Sequence, residues 1–404
     1  MEPTEIQNLE LADEYLNYSL ARLKTGQGLT FDRWDHLPAR RLVENRLNEF
    51  IDSPKDPVFA LPDSARVEMF SIINDWYEGR PNPEANPGLN ESIIIADGAR
   101  PIGLLQKDRM DLIAGNGPFV GLLSSNRDRI SKASLSVGRI ERDLAPEVKW
   151  ADTWYAGTGF YIGDNLLLTN RHVLQALAEK SRFTSKTSRK LKSGCFVNFD
   201  GQLQKVENNK SFVGQRRFRI SEVVWTSDTI IPRDRDRLSE IDLAILKIEN
   251  APNEALPEPL VISVEPVSEG EKITVIGFPG RPPDFEKTYR AEDVLDTGNA
   301  EQIVAHFIHR GFGFKRASAG LFGEVAMGGP WNPLGKNVRH DCSTLTGNSG
   351  SPIFRLDTVD PRRPLEVSAC HFFGWGRAFN VAHKAGVLRN SLLLALEDLG
   401  ATLS

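Results

Sequence analysis

The stretch Leu345-Thr346-Gly347-Asn348-Ser349-Gly350-Ser351-Pro352 constrains this chain more than any other. It sets one serine between two glycines, just ahead of the apolar pair Ile353-Phe354. A serine hydroxyl is a poor nucleophile until a base takes its proton. Acyl transfer also needs N–H groups aimed at the oxygen that becomes negative. Small residues let the backbone bend back and present those groups. Ser349 is therefore the candidate nucleophile, and the N–H groups of Gly347 and Ser349 are the candidate oxyanion donors. The alternative is a Gly/Ser turn between two strands, which is common.

Two further stretches supply the missing parts. Gly157-Thr158-Gly159-Phe160-Tyr161-Ile162, Gly163-Asp164-Asn165 and Leu166-Leu167-Leu168-Thr169 read as strand, tight turn, strand, with Asn170-Arg171-His172 at the far end. Ser239-Glu240-Ile241-Asp242 opens the apolar run Leu243-Ala244-Ile245-Leu246. A carboxylate at the mouth of such a strand is buried only against a partner. His172, Asp242 and Ser349 are the three parts of acyl-transfer catalysis, in that chain order.

These contexts resemble the chymotrypsin-like (trypsin-fold) serine peptidases. The family marks its histidine with Thr-x-x-His, here Thr169 to His172, and its aspartate with Asp-Leu-Ala, here Asp242-Leu243-Ala244. Its serine lies in Gly-x-Ser-Gly, here Gly347 to Gly350. The resemblance spans residues 136–400 and is strongest to the bacterial branch that includes the glutamyl endopeptidases. It implies an all-β fold of two six-stranded antiparallel barrels, with His172 and Asp242 from the first barrel and Ser349 from the second. It implies no cofactor and a protein or peptide as substrate. It also implies a primary specificity pocket formed by Thr344, five residues before Ser349, and His371 in Ala369-Cys370-His371-Phe372-Phe373-Gly374. A carboxylate entering a dry pocket needs donors in place of its water. The Thr344 hydroxyl and a His371 ring, charged for added attraction, are the expected donors for Glu or Asp. The other reading of His371 is a packed strand residue. Where trypsin-like relatives carry a carboxylate before the serine, this chain has uncharged Asn348.

With 404 residues the chain has room for two or three domains. A net charge of -5 gives no general attraction to nucleic acid or anionic membranes. The N-terminus lacks a basic start and apolar core, and no apolar run is long enough for a membrane helix. The three cysteines, Cys195, Cys342 and Cys370, read as reduced thiols of a cytoplasmic protein. Residues 1–80 read as a helical region: Thr4 and Gln7 fit a capping box, and Ile6, Leu9, Leu16, Leu20 and Leu23 recur at helical spacing. Residues 81–135 read as a linker and small α+β segment. Within it, Ile93-Ile94-Ile95 and Ile102-Gly103-Leu104-Leu105 suggest a hairpin, and Pro118 to about Ile130 a helix. The peptidase part is expected over 136–404, starting with a strand at Val137-Gly138-Arg139-Ile140.

The basic residues Lys180, Arg182, Lys186, Arg189, Lys190 and Lys192, then Arg216, Arg217 and Arg219, read as a solvated surface without interleaved aromatics. His306 and His309 lie in a strand-like stretch and face opposite sides, so no metal site is expected. The sequence thus points to a serine endopeptidase, with residues 1–130 as the place where a regulatory partner would act. The alternatives are a silent binding protein on the same fold, or a partner-triggered effector of a bacterial defence system.

Overall fold

A computed structural model describes residues 100–106, 109–112, 118–142, 155–179, 189–207, 210–213, 216–227, 240–251, 254–280, 312–323, 332, 334–356, 362–375 and 379–398. The helices expected over 1–80, the Ile93–Ile95 arm and the pair His306 and His309 lie outside these residues.

The described chain begins with the hairpin β1 (Ile102–Gln106) and β2 (Arg109–Leu112). Two short helices follow, α1 (Pro118–Ser125) and α2 (Arg127–Ser134). One helix was expected here. It is broken at Asn126, whose side-chain Nδ2 donates to Leu122 O at 3.0 Å and competes with the helical ladder.

A closed barrel comes next, built from β3 (Val137–Arg142), β4 (Tyr155–Gly163), β5 (Leu166–Thr169), β6 (Cys195–Asn198), β9 (Arg217–Thr226) and β10 (Ala244–Ile248). Its strand order is β10-β5-β4-β3-β6-β9. The helix α3 (Arg171–Leu177) follows β5, and the small hairpin β7 (Leu203–Glu207) and β8 (Lys210–Val213) follows β6. The β4–β5 turn holds Asp164 at φ 49° and Asn165 at φ 60°. That left-handed pair is what a two-residue hairpin needs, and Asp and Asn tolerate it best. Strand alternation then sorts the side chains. Leu167, Ala244 and Leu246 join Val197, Phe199 and Phe218 in one apolar cluster. Leu166, Leu168 and Ile245 point the other way, into a second cluster with Ile276, Phe354 and Leu388. These strands are apolar on both faces because both faces are covered.

The second sheet contains β11 (Lys272–Gly277), β12 (Arg316–Leu321), β13 (Asn337–His340), β14 (Pro352–Arg355), β15 (Val367–Trp375) and β16 (Phe379–Lys384). It is not the isolated six-stranded barrel that was expected. It has eight strands in the order β13-β16-β15-β14-β11-β12-β1-β2. Leu104 pairs with Arg316 and Ile102 with Ser318, while beyond the end of β12 Phe322 bridges to His340. The edge of β12 is thus covered by the incoming hairpin along its length and by β13 just beyond its end, with β2 as the last strand of the sheet. A closing helix, α4 (Ala385–Asp398), packs Leu388 and Ala395 into the shared cluster.

Candidate active site

Residues around His172 and Asp242 are organised by the start of α3. Helix starts leave N–H groups without intrahelical acceptors. Asp242 Oδ1 accepts one of them, His172 N–H, at 2.9 Å, and Oδ2 meets His172 Nδ1 at 2.5 Å. One carboxylate therefore caps the helix and orients the imidazole. Asn170 precedes the helix but does not cap it with its side chain. Its Nδ2 donates instead to Asp242 O at 2.9 Å. Burial alone would push the Asp242 carboxyl up; the charge of His172 and its bonds outweigh this and hold it below the usual range. The His172 side chain keeps 24% of its surface exposed, against 3% for Asp242, so the imidazole is reachable from solvent.

The Ser349 loop is shaped by two left-handed glycines, Gly347 at φ 96° and Gly350 at φ 86°. A Cβ on Gly347 would meet Phe278 O at 2.6 Å, and one on Gly350 would run into Thr158 O. No other residue fits either position. Thr158 on β4 anchors the loop: its N–H donates to Ser349 O at 2.8 Å and its hydroxyl to Gly347 O at 2.8 Å. Thr346 O accepts from Gly280 N–H, and Asn348 O accepts from Ser351 N–H. In a trans peptide the N–H points opposite to the C=O. The N–H groups of Gly347 and Ser349 therefore point away from those partners, and neither donates to an acceptor among the described residues. A Cβ on Gly157 would touch both Val173 and Ser349 O, so this glycine lets the serine loop approach the histidine helix. Fold and loop geometry thus bring His172, Asp242, Gly347 and Ser349 to one end of the two sheets.

Thr344 and His371 are each 1% exposed. The Thr344 hydroxyl donates to Asn380 Oδ1 at 2.8 Å, and Asn380 Nδ2 donates to Cys342 O at 2.7 Å. His371 Nδ1 meets His340 Nε2 at 3.0 Å. The charged imidazole expected for His371 is not what the surroundings favour. Burial, with the nearby His172 charge, brings its pKa down to about 3, so the ring is neutral. His340 is likewise held well below the usual range by burial and by His371. Behind the loop, Ile102, Ser343, Thr344 and Asn348 line a cavity of ≈ 10 Å³, about one water in size.

Four polar residues here escaped the sequence reading: Asn170, His340, Asn380 and His383. Asp242 N–H donates to His383 Nε2 at 2.9 Å, and His383 Nδ1 meets Asn337 Oδ1 at 2.9 Å. The nearest signal was positional for Asn170, two residues before His172; the others lie on strands far along the chain. Among the described residues, no three His, Cys, Asp or Glu side chains group to hold a metal, and no helix is long and apolar enough to cross a membrane.

A closed barrel, a second antiparallel sheet and this arrangement at their junction define a trypsin-like fold. The chain belongs to the family described as trypsin-like peptidase domain, whose match covers residues 157–359. Similar solved structures include the active form of the Rv3671c protease from M. tuberculosis, at 19% identity over 70% of this chain and 88% of that one, TM-score 0.37. A serine endoprotease from Yersinia pestis is similar at 16% identity over 70% of this chain and 69% of that one, TM-score 0.36. A comparison with curated proteins finds no match.

Proposed function

We propose that the chain is a serine endopeptidase in which His172 takes the Ser349 proton and returns it to the leaving amine. Asp242 holds the tautomer and steadies the charged ring. The observation that carries this reading is the pair of hydrogen bonds that His172 makes to the Asp242 carboxylate, through its main-chain N–H at 2.9 Å and ring Nδ1 at 2.5 Å. The Gly347 and Ser349 N–H groups stabilise the oxyanion, each worth about 3 kcal/mol. Water then releases the acyl-enzyme, and no cofactor takes part. The substrate is a protein or peptide, not nucleic acid. The three buried free thiols favour a cytoplasmic setting.

The finer reading is a preference for Glu or Asp before the cut, as in the glutamyl-endopeptidase-like branch. In this reading the proton of a neutral His371 ring sits on Nε2 as a donor for a carboxylate, and its Nδ1, 3.0 Å from His340 Nε2, is the acceptor of that contact. Thr344 supports this by fixing Asn380 rather than by donating to substrate. Control by the N-terminal residues 1–130 fits the uncharged Asn348, which offers no carboxylate for a newly freed N-terminus.

The test is hydrolysis of a peptide library by the full chain, with Ser349→Ala as control. Cleavage after Glu or Asp is expected, lost in the control and redirected in His371→Ala. A profile dominated by Arg, Lys or large apolar residues would reject the acidic preference. Full activity in Ser349→Ala would reject the serine mechanism, and no cleavage by the wild type would leave the silent binding protein.

A further inference from the structure

Asp242 carries four polar groups, and each one is held. Its two carboxylate oxygens bind His172, and its C=O accepts from Asn170 on the first barrel. Only its N–H reaches across to the second sheet, where His383 of β16 accepts it at 2.9 Å. A main-chain N–H is a donor only, so His383 Nε2 carries no proton in this contact. The proton of the neutral ring then sits on Nδ1 and donates to Asn337 Oδ1 at 2.9 Å. Asn337 is itself fixed, its N–H donating to Asn332 Oδ1 at 2.8 Å. The ring lies flat on Phe372, with centroids 4.1 Å apart and planes 9° from parallel. It is fully buried. A histidine with both nitrogens engaged and one face stacked has a single orientation, and its acceptor atom is aimed at the residue that orients His172.

We propose that His383 is a positioning residue for the reaction: by holding the main-chain N–H of Asp242 from the second sheet, it sets the placement of the carboxylate against His172. The proposal rests on the reading of His172, Asp242 and Ser349 as the catalytic groups. It requires the ring to stay neutral, because a proton on Nε2 would face the Asp242 N–H head on. The titratable groups around the ring are Asp242 from the loop into β10, Lys336 from the segment before β13, Cys370 opposite on β15, and Lys384 next along β16. Burial and Lys336 work against a second proton, while Asp242 favours it; the balance lowers the ring to about 4.

Two substitutions separate the two ring nitrogens. His383→Gln sets an amide oxygen near the Nε2 position and keeps an acceptor for Asp242. His383→Asn reaches Asn337 but leaves the Asp242 N–H without its acceptor. The full-length variants are titrated with a fluorophosphonate, so that turnover is counted per competent serine. kcat and KM are then followed against pH on the peptide that the wild type cuts. His383→Asn is expected to lower kcat per titrated site about a hundredfold, the scale of a ~1 Å misplacement, with KM little changed. His383→Gln is expected to stay within about threefold of wild type, since the contact is kept. Asn337→Asp is a second handle that leaves His383 in place. Its charge favours the protonated ring, so the acid limb of kcat/KM should move to higher pH.

If His383→Asn merely reduces the number of titratable sites, with normal turnover at each, the residue is structural and the inference is wrong. An unshifted acid limb in Asn337→Asp overturns it as well, and decides the matter should His383→Asn fail to fold. Failure of the underlying reading looks different: the wild type itself would not be labelled at Ser349.

Discussion

At the scale of single residues, the site depends on contacts that no substitution reproduces in part. Asp242 both caps α3 and holds the His172 ring, so Asp242→Asn loses the charge and reverses the hydrogen-bond roles. We expect Ser349→Ala and His172→Ala each to lower kcat by about a millionfold, and Asp242→Asn by about ten-thousandfold. The double variant Ser349→Ala/His172→Ala should be no worse than either single one, because the groups act as a unit. Kinetics on a purified panel check this, and additive losses would argue for independent roles. His172, Asp242 and Ser349 stood out as candidates because each sits in a short local pattern. His383 did not, because its partner Asp242 lies 141 positions away and only the assembled sheets bring them together. The neutrality of His371 was equally hidden, since burial and the nearby His172 charge decide it rather than the neighbouring sequence.

At the scale of elements, the hairpin β1–β2 is the feature that departs most from expectation. Ile102–Leu105 was read as a strand, and it is one, but it mates with Arg109–Leu112 and with β12. Local pattern shows that a segment is extended; which edge it finds depends on what the rest of the sheet leaves open. Helix α4 went unread although Leu388, Ser391 and Ala395 mark one buried face at helical spacing. The hairpin is pinned next to the Asp341–Ser343 segment. Arg100 pairs with Asp341 at 2.5 Å, Asp341 Oδ1 accepts Leu321 N–H at 2.7 Å, and Ser343 Oγ donates to Arg100 O at 3.4 Å. Arg100 is 3% exposed and also lies over the Phe119 ring, 4.4 Å from its centroid. Removing one partner of a buried ion pair strands the other. Arg100→Ala should therefore cost about 3 kcal/mol, read as a lower urea midpoint at unchanged slope. A midpoint equal to wild type would show that the pair contributes nothing net.

At the scale of the whole molecule, three buried histidines link stability to pH. His340, His371 and His383 are each no more than 1% exposed. Burial lowers all three: His371 to about 3, His383 to about 4, and His340 well below its ordinary value. Between those values and about 6.5 the unfolded chain binds protons that the folded chain refuses. Stability therefore rises with pH through this window and gains nothing further from these rings above it, with a slope of at most ~1.4 kcal/mol per pH unit for each ring. Asp242 acts in the same direction lower down, its contribution falling away as pH drops below the unfolded carboxyl value. Urea midpoints should fall steadily from pH 7 to pH 5, and a flat profile would contradict neutral burial of these rings. The β architecture of the described residues from β3 to β16 was legible because both-face apolar strands and tight turns are local signals; the eight-stranded order was not, because it is settled by pairing across the chain. The central claim remains that Ser349 is activated by His172. Its most direct test is a fluorophosphonate probe on the full-length protein, with the labelled peptide identified by mass spectrometry. Labelling is expected at Ser349 alone, abolished by Ser349→Ala and reduced at least about a thousandfold in rate by His172→Ala. Labelling elsewhere, or a Ser349 rate indifferent to His172, would contradict the account.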